Sequence, residues 1–377
     1  MSIGIVNLAG HLRAQADSSD IVFGHHRIIH SHILDQDRIL YINLPNDYII
    51  SDKSYPLVFQ LYAHFTYNYY LPVIRTTNMM ATMGEAPGMI VVGIMNREFR
   101  YRDLLPEDHW GGTSEIENFL DFFEQELIPF MKNHYRTENF RVLSGPQAGA
   151  AFGLYTLSEG PELFNAVIIS NPFWIKSSTP TLLNRFKQAT EENDFTNKFL
   201  MLTYGNNMDS IAEQALDTLS AITSTIQDPG FEYHLNRIET GSSYAASTGI
   251  EVGLKKLFRN FAFPRSDSAS DLHEIEQHYR SVSRKLGYEV SIPELALVFE
   301  GDQFISEGNP EKALEIYMKM HELYPEGLMG FDRLGSVFYQ KGEPGKALEY
   351  YNMFLERQAG DPRVTAIVEQ ITEEMEQ

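Results

Sequence analysis

The chain has 377 residues, 43% of them hydrophobic and 12% aromatic, which is enough to bury a sizeable core and too apolar for global disorder. Length alone suggests two or three domains. With 51 acidic against 30 basic residues the formal net charge is −21. That sign opposes nucleic acid and anionic membrane surfaces, both of which attract Lys and Arg clusters. The absence of cysteine excludes disulfides, thiolate metal ligands and a cysteine nucleophile.

In chain order, MSIGIVNLAGHLRAQA lacks a basic leading region, is interrupted at Asn7 and carries Arg13 where small residues would precede a cleavage site, so a cytoplasmic protein is expected. No apolar run approaches the roughly 20 residues of a membrane span. His25, His26, His30 and His32 alternate along a strand or loop. Without a carboxylate at ligand spacing they read as a surface strand, and no metal or cofactor is expected. From Asp37 to Phe263 short apolar runs alternate with helical stretches. The runs at 38–45, 55–64, 88–96, 140–145, 164–172, 199–205 and 231–239 predict strands, several apolar throughout, as strands covered on both faces must be. Between them, Ile116, Leu120, Phe123, Leu127 and Phe130 mark the buried stripe of a helix over 113–135, with Thr113 as its cap. This alternation predicts an α/β fold, a mostly parallel sheet with helices on both faces, for residues 1–263.

The character changes after Pro264. A polar linker (264–271, PRSDSASD) leads to an all-α region over 272–377. There GNPEKALEIY (308–317) matches GEPGKALEYY (342–351) at an offset of 34 residues, and Gly301/Gly335, Phe304/Phe338, Ala313/Ala347 and Tyr317/Tyr351 share the register. Small residues that let two helices approach, with aromatics filling the groove between them, are the tetratricopeptide signature. Two units are expected, at about 294–327 and 328–361, flanked by helices over 272–288 and 362–377.

The chemistry should sit in RVLSGPQAGAAFGLYTL (141–157), a strand, a glycine-bearing turn and a helix. This is the nucleophile elbow of α/β-hydrolases, G-x-S-x-G. The elbow reads Gly145-Pro146-Gln147-Ala148-Gly149, so an amide stands where the nucleophile belongs, and an amide is not a usable nucleophile.

On these residues, together with LYINLPNDY (40–48), IVVGIMNREFRYRDLLP (90–106), FLDFFEQELIPFMKNHYRTENFRVLSG (119–145) and PELFNAVIISNPFW (161–174), the chain resembles the esterase D and ferric-enterobactin-esterase-like family in its form with C-terminal tetratricopeptide repeats. The resemblance covers residues from about 20 to the end. It implies an α/β-hydrolase and an elbow G-H-S-x-G-G, of which the histidine and serine are replaced here. It also implies a base histidine shortly before the last core helix, where Gly241 or Ser242 stands, and makes Asp209 the candidate acid. Two of the three triad members are missing, and each loss costs orders of magnitude in rate.

Ser144 and Ser170 read as satisfied hydroxyls rather than displaced nucleophiles. A retained pocket would draw on Gln147 and Ala148 with Tyr62, Ala63 and His64, the Ala148 and Tyr62 backbone forming the oxyanion hole that the resemblance implies, and His109 and Trp110 at its rim. Three functions follow. The first is a pseudohydrolase binding a small-molecule ligand or a protein or peptide partner. The second is an enzyme using the pocket for a cyclisation, lyase or isomerase step, and the third an ester hydrolase with a displaced nucleophile. The repeats would recruit a partner, self-associate or cover an apolar face of the first domain.

Overall fold

The computed structural model describes residues 23–106, 113–172 and 178–376. An eight-stranded sheet carries the fold, in the order β1-β2-β4-β3-β5-β6-β7-β8. Its strands are β1 (His25–Ser31), β2 (Gln36–Asn43), β3 (Tyr55–Gln60), β4 (Ile90–Ile94), β5 (Thr137–Pro146), β6 (Ala166–Ser170), β7 (Phe199–Tyr204) and β8 (Glu232–Arg237). β2 runs antiparallel to β1 and β4, and the rest of the sheet is parallel. The expected strand over 55–64 ends at Gln60, because the chain leaves the sheet there to form the turn that carries Tyr62.

Alternate strand residues feed two cores, because successive side chains of a strand point to opposite faces. Leu57, Phe59, Leu143, Val167 and Leu200 pack on one face against α3 (116–134), α4 (Ala148–Glu159), α5 (Ser178–Glu192) and α6 (Ser210–Thr223). Val58, Val91, Val142, Ile168 and Met201 pack on the other against α1 (Leu71–Thr82) and α7 (Ser242–Leu257). The second core continues without a break through Ile275, Tyr279, Leu297, Tyr317 and Phe331 to Ile371, so the C-terminal helices share one apolar core with this side of the sheet.

The helix expected from 113 starts at Ile116, and Thr113 does not cap it. Glu115 is the N-cap residue and makes no side-chain cap; Ser114 Oγ instead accepts from the Ile116 N–H at 3.4 Å. Its middle, Phe122–Leu127, is π-helical, and Phe119 and Phe122 join the expected stripe at 0% exposure.

On β2 the buried Arg38 Nη1 donates to Oδ2 of Asp103, in α2 (Arg100–Leu104), at 2.7 Å, and its guanidinium lies over Phe99, Phe119 and Phe122. This pair ties the turn after β4 to β2.

Residues 264–271 are pinned rather than loose. The Ala269 and Ser270 N–H groups donate to Glu307 and Glu300 at 2.8 and 2.7 Å, and Gln303 donates to the Asp267 carbonyl. After α8 (Leu272–Leu286) come α9 (Glu294–Ser306), α10 (Pro310–Leu323), α11 (Leu328–Gln340), α12 (Pro344–Arg357) and α13 (Pro362–Glu376). α9–α10 and α11–α12 are hairpins offset by 34 residues. A Cβ on Gly301 would stand 2.2 Å from the Tyr317 ring, and one on Gly335 2.8 Å from the Tyr351 ring, the same contact in each hairpin. Among the described residues no helix is long and apolar enough to cross a membrane.

Candidate functional site

The site gathers at the carboxyl ends of the parallel strands, where open α/β sheets place their ligands. β5 ends at Pro146, Gln147 turns at φ 55° and ψ −119°, and α4 begins at Ala148. A Cβ on Gly145 would lie 2.6 Å from the Gly149 carbonyl oxygen, so only glycine lets the strand meet the helix here. The Gln147 N–H donates to the Ser170 carbonyl at 3.0 Å, and the Gln147 carbonyl accepts from the Ala150 N–H. The frame of an elbow is complete, and its apex carries a half-buried glutamine.

β3 and β4 end beside it. The Leu61 N–H donates to the Ser144 carbonyl at 2.9 Å and the Ala63 N–H to the Ile94 carbonyl at 3.1 Å, locking the turn between them. Tyr62 sits in this turn at φ 61°, 1% exposed, with no hydrogen bond on its hydroxyl. Burial pushes its pKa well above the ordinary value. The Ala148 N–H lies near enough to oppose part of that rise, although no hydrogen bond joins them. His64 stacks on Tyr62 at 5.3 Å and meets Phe65 at 4.5 Å. Both its ring nitrogens are buried without a partner. Burial, then the positive charges of Arg100 and Arg97, lower its pKa to about 4, so the imidazole is neutral at pH 7. Arg100 Nη1 donates to the Arg97 carbonyl at 2.8 Å and its guanidinium lies over Tyr101. Neither arginine has a carboxylate partner among the described residues.

The structure thus brings Gln147, Ala148, Tyr62 and His64 together. Ala63 does not join them, because its side chain faces the opposite core beside Gly93 and its N–H is committed to Ile94. Asp209 caps α6, Oδ1 accepting from the Ile211 and Ala212 N–H groups at 3.1 and 2.9 Å. Gly241 is the exposed N-cap of α7 and Ser242 its first residue, where the resemblance puts the base. Ser144 is buried on β5, and the buried Ser170 hydroxyl donates to the Ala246 carbonyl at 3.1 Å. His25, His26 and His30 lie on β1, where His30 pairs with Asp37 at 2.9 Å; among the described residues no three His, Asp or Glu side chains gather at metal-ligand spacing. His109 and Trp110 lie outside the described residues. Sequence reasoning missed Arg97 and Arg100 as site residues; their place directly after a parallel strand was the available signal.

The family model described as "Putative esterase" matches residues 31–237, more than half of the chain. The fold is similar to that of an IroE-like serine hydrolase from Shewanella oneidensis (TM-score 0.66, 22% identity, 80% of this chain and 98% of that one). It is also similar to an uncharacterised protein from Capnocytophaga ochracea (TM-score 0.61, 17% identity, 92% and 99%). A third similar structure is the enterobactin esterase FES from Shigella flexneri, determined with enterobactin (TM-score 0.53, 20% identity, 63% and 60%). No curated protein sequence matches.

Proposed function

This chain belongs to the esterase family, and from that premise we propose that it is a pseudohydrolase, an α/β-hydrolase homologue that keeps the family's site as a binding pocket without the Ser-His pair. The observation that carries the reading is Gln147 at the apex of an intact elbow. The backbone holds the apex residue in the position a nucleophile needs, and the amide there cannot attack. The exposed Gly241 at the base position removes the proton acceptor as well. The names of the similar structures, serine hydrolase and enterobactin esterase, describe chemistry that needs those two residues.

A second reading, non-hydrolytic catalysis in the same pocket, is favoured by one feature: the neutral His64 with both ring nitrogens free could move a proton. A displaced serine nucleophile has less support, since the Ser170 hydroxyl is engaged and Ser144 is buried in the sheet. We take residues 272–377 to be a tetratricopeptide-like module that packs into the apolar core on the α7 side of the sheet and offers its free side to a partner. We take the protein to be cytoplasmic.

The test is short-chain aryl-ester hydrolysis with a fluorophosphonate label in parallel, on the wild type, Gln147→Ser and Gln147→Ala. Background turnover and no label are expected for all three, since a serine alone still lacks its base. Labelling and turnover that persist in Gln147→Ala would place the nucleophile elsewhere and sink the reading.

A further inference from the structure

Leu71, Ile74, Arg75 and Asn78, spaced by three and four residues, share one face of α1. That face, Tyr67 in the turn ahead of it, Asn43 at the end of β2 and Asn46 in the loop that follows line a cavity of about 610 Å³. None of its described lining residues belongs to the elbow.

The walls of this cavity are chemically mixed. The Tyr67 ring is 85% exposed and the Phe23 ring is half exposed, and with Leu71 and Ile74 they offer an apolar surface. Three amides stand opposite this apolar character. Asn43 Nδ2 donates to the Phe23 carbonyl at 3.2 Å, which pins that end of the chain and leaves Asn43 Oδ1 buried without a donor. The Asn46 and Asn78 amides have no partner among the described residues. Arg75 is the one charged side chain among the described lining residues, and Glu251 already grips it at 2.6 Å.

These walls select a ligand class. An ion meets no free counter-charge here, and the net charge of −21 repels an anion from a distance. A purely apolar ligand would cover the amides without satisfying them, at a cost for each group left unpaired. A ligand with a flat C–H face and a rim of hydroxyls meets both walls, because a hydroxyl donates and accepts as an amide does. We propose that this cavity binds a neutral saccharide, one pyranose ring lying on Tyr67 with its hydroxyls on the Asn46 and Asn78 amides. The volume lies in the range of small-molecule sites and admits a disaccharide. The site is separate from the elbow and stands whether or not Gln147 leaves the protein inactive.

The experiment titrates cellobiose, maltose, xylobiose and chitobiose into the full-length protein by calorimetry, with decaproline as the peptide that an aromatic groove would also attract. At least one disaccharide is expected to bind, in roughly the millimolar range of an open site. Tyr67→Ala should weaken it by about tenfold or more, through the lost stacking surface. Asn46→Ala/Asn78→Ala should weaken it by about tenfold, through two lost hydrogen bonds. Both variants alter side chains outside the core, so their melting temperatures should match the wild type. Binding of none of the four sugars, wild-type affinity in either variant, or binding of decaproline in place of the sugars would each overturn the site.

Discussion

At the elbow and in the C-terminal hairpins, glycine serves the same end, close approach, against different neighbours. The Cβ that Gly145 lacks would strike the Gly149 backbone oxygen at 2.6 Å, whereas the Cβ that Gly301 and Gly335 lack would strike the rings of Tyr317 and Tyr351. A backbone–backbone contact fixes shape without specifying any side chain. The apex between Gly145 and Gly149 can therefore hold glutamine and still be an elbow. A glycine–ring contact binds two positions into one choice, so glycine and tyrosine recur together at the 34-residue offset.

The largest effect should come from breaking the first contact. Gly145→Ala places a methyl against a carbonyl that neither rotates nor swings away, and a cost of about 3 kcal/mol is expected by urea denaturation. A cost within the ~0.5 kcal/mol of an ordinary surface change would show that the elbow is not held by this approach.

The hairpins should respond less and unequally. Gly301→Ala and Gly335→Ala are expected to cost about 1–3 kcal/mol, with Gly301→Ala the worse. Its obstacle is nearer, 2.2 Å against 2.8 Å. The Tyr317 hydroxyl also donates to Asp302 at 2.6 Å, and Asp302 is itself gripped by Arg333 at 2.8 and 2.9 Å, so this ring cannot swing freely. In a Tyr317→Ala background the cost of Gly301→Ala should largely vanish, a coupling that a double-mutant cycle reads directly. Additive losses would mean that the two positions are not one choice.

How much of this was legible in the sequence follows the same division. Strands buried on both faces read as apolar runs, and all six residues of Tyr55–Gln60 are buried. The elbow read from its glycine spacing, and the hairpins from their repeat. The helix start did not read, since Glu115, not the predicted Thr113, occupies the cap. Tyr62 and Ala63 were expected in one pocket, but adjacent residues diverge, and they reach opposite cores. Arg97 lies in a turn and Arg100 opens the five-residue α2, too short for a periodicity to mark it. The ion pairs Asp302–Arg333 and Asp332–Arg363 span 31 residues each, which no local pattern announces.

The smallest effect bears on the apex itself. A non-glycine residue in the unfavourable region that Gln147 occupies, φ 55° and ψ −119°, stores on the order of 1–3 kcal/mol. Removing its Cβ releases that strain, while glycine's extra freedom in the unfolded chain takes back about 0.5–1 kcal/mol. Gln147→Gly is therefore expected to gain about 1 kcal/mol, and Gln147→Ala, which keeps the Cβ, to stay within about 0.5 kcal/mol of the wild type. Thermal or urea unfolding of the three proteins checks this. A gain in the glycine variant would show that the chain carries the cost of presenting a side chain at the apex. Such a cost accords with a pocket still in use for binding. No gain would mean that the apex is relaxed, and the backbone contact at Gly145 alone would then account for the shape of the turn.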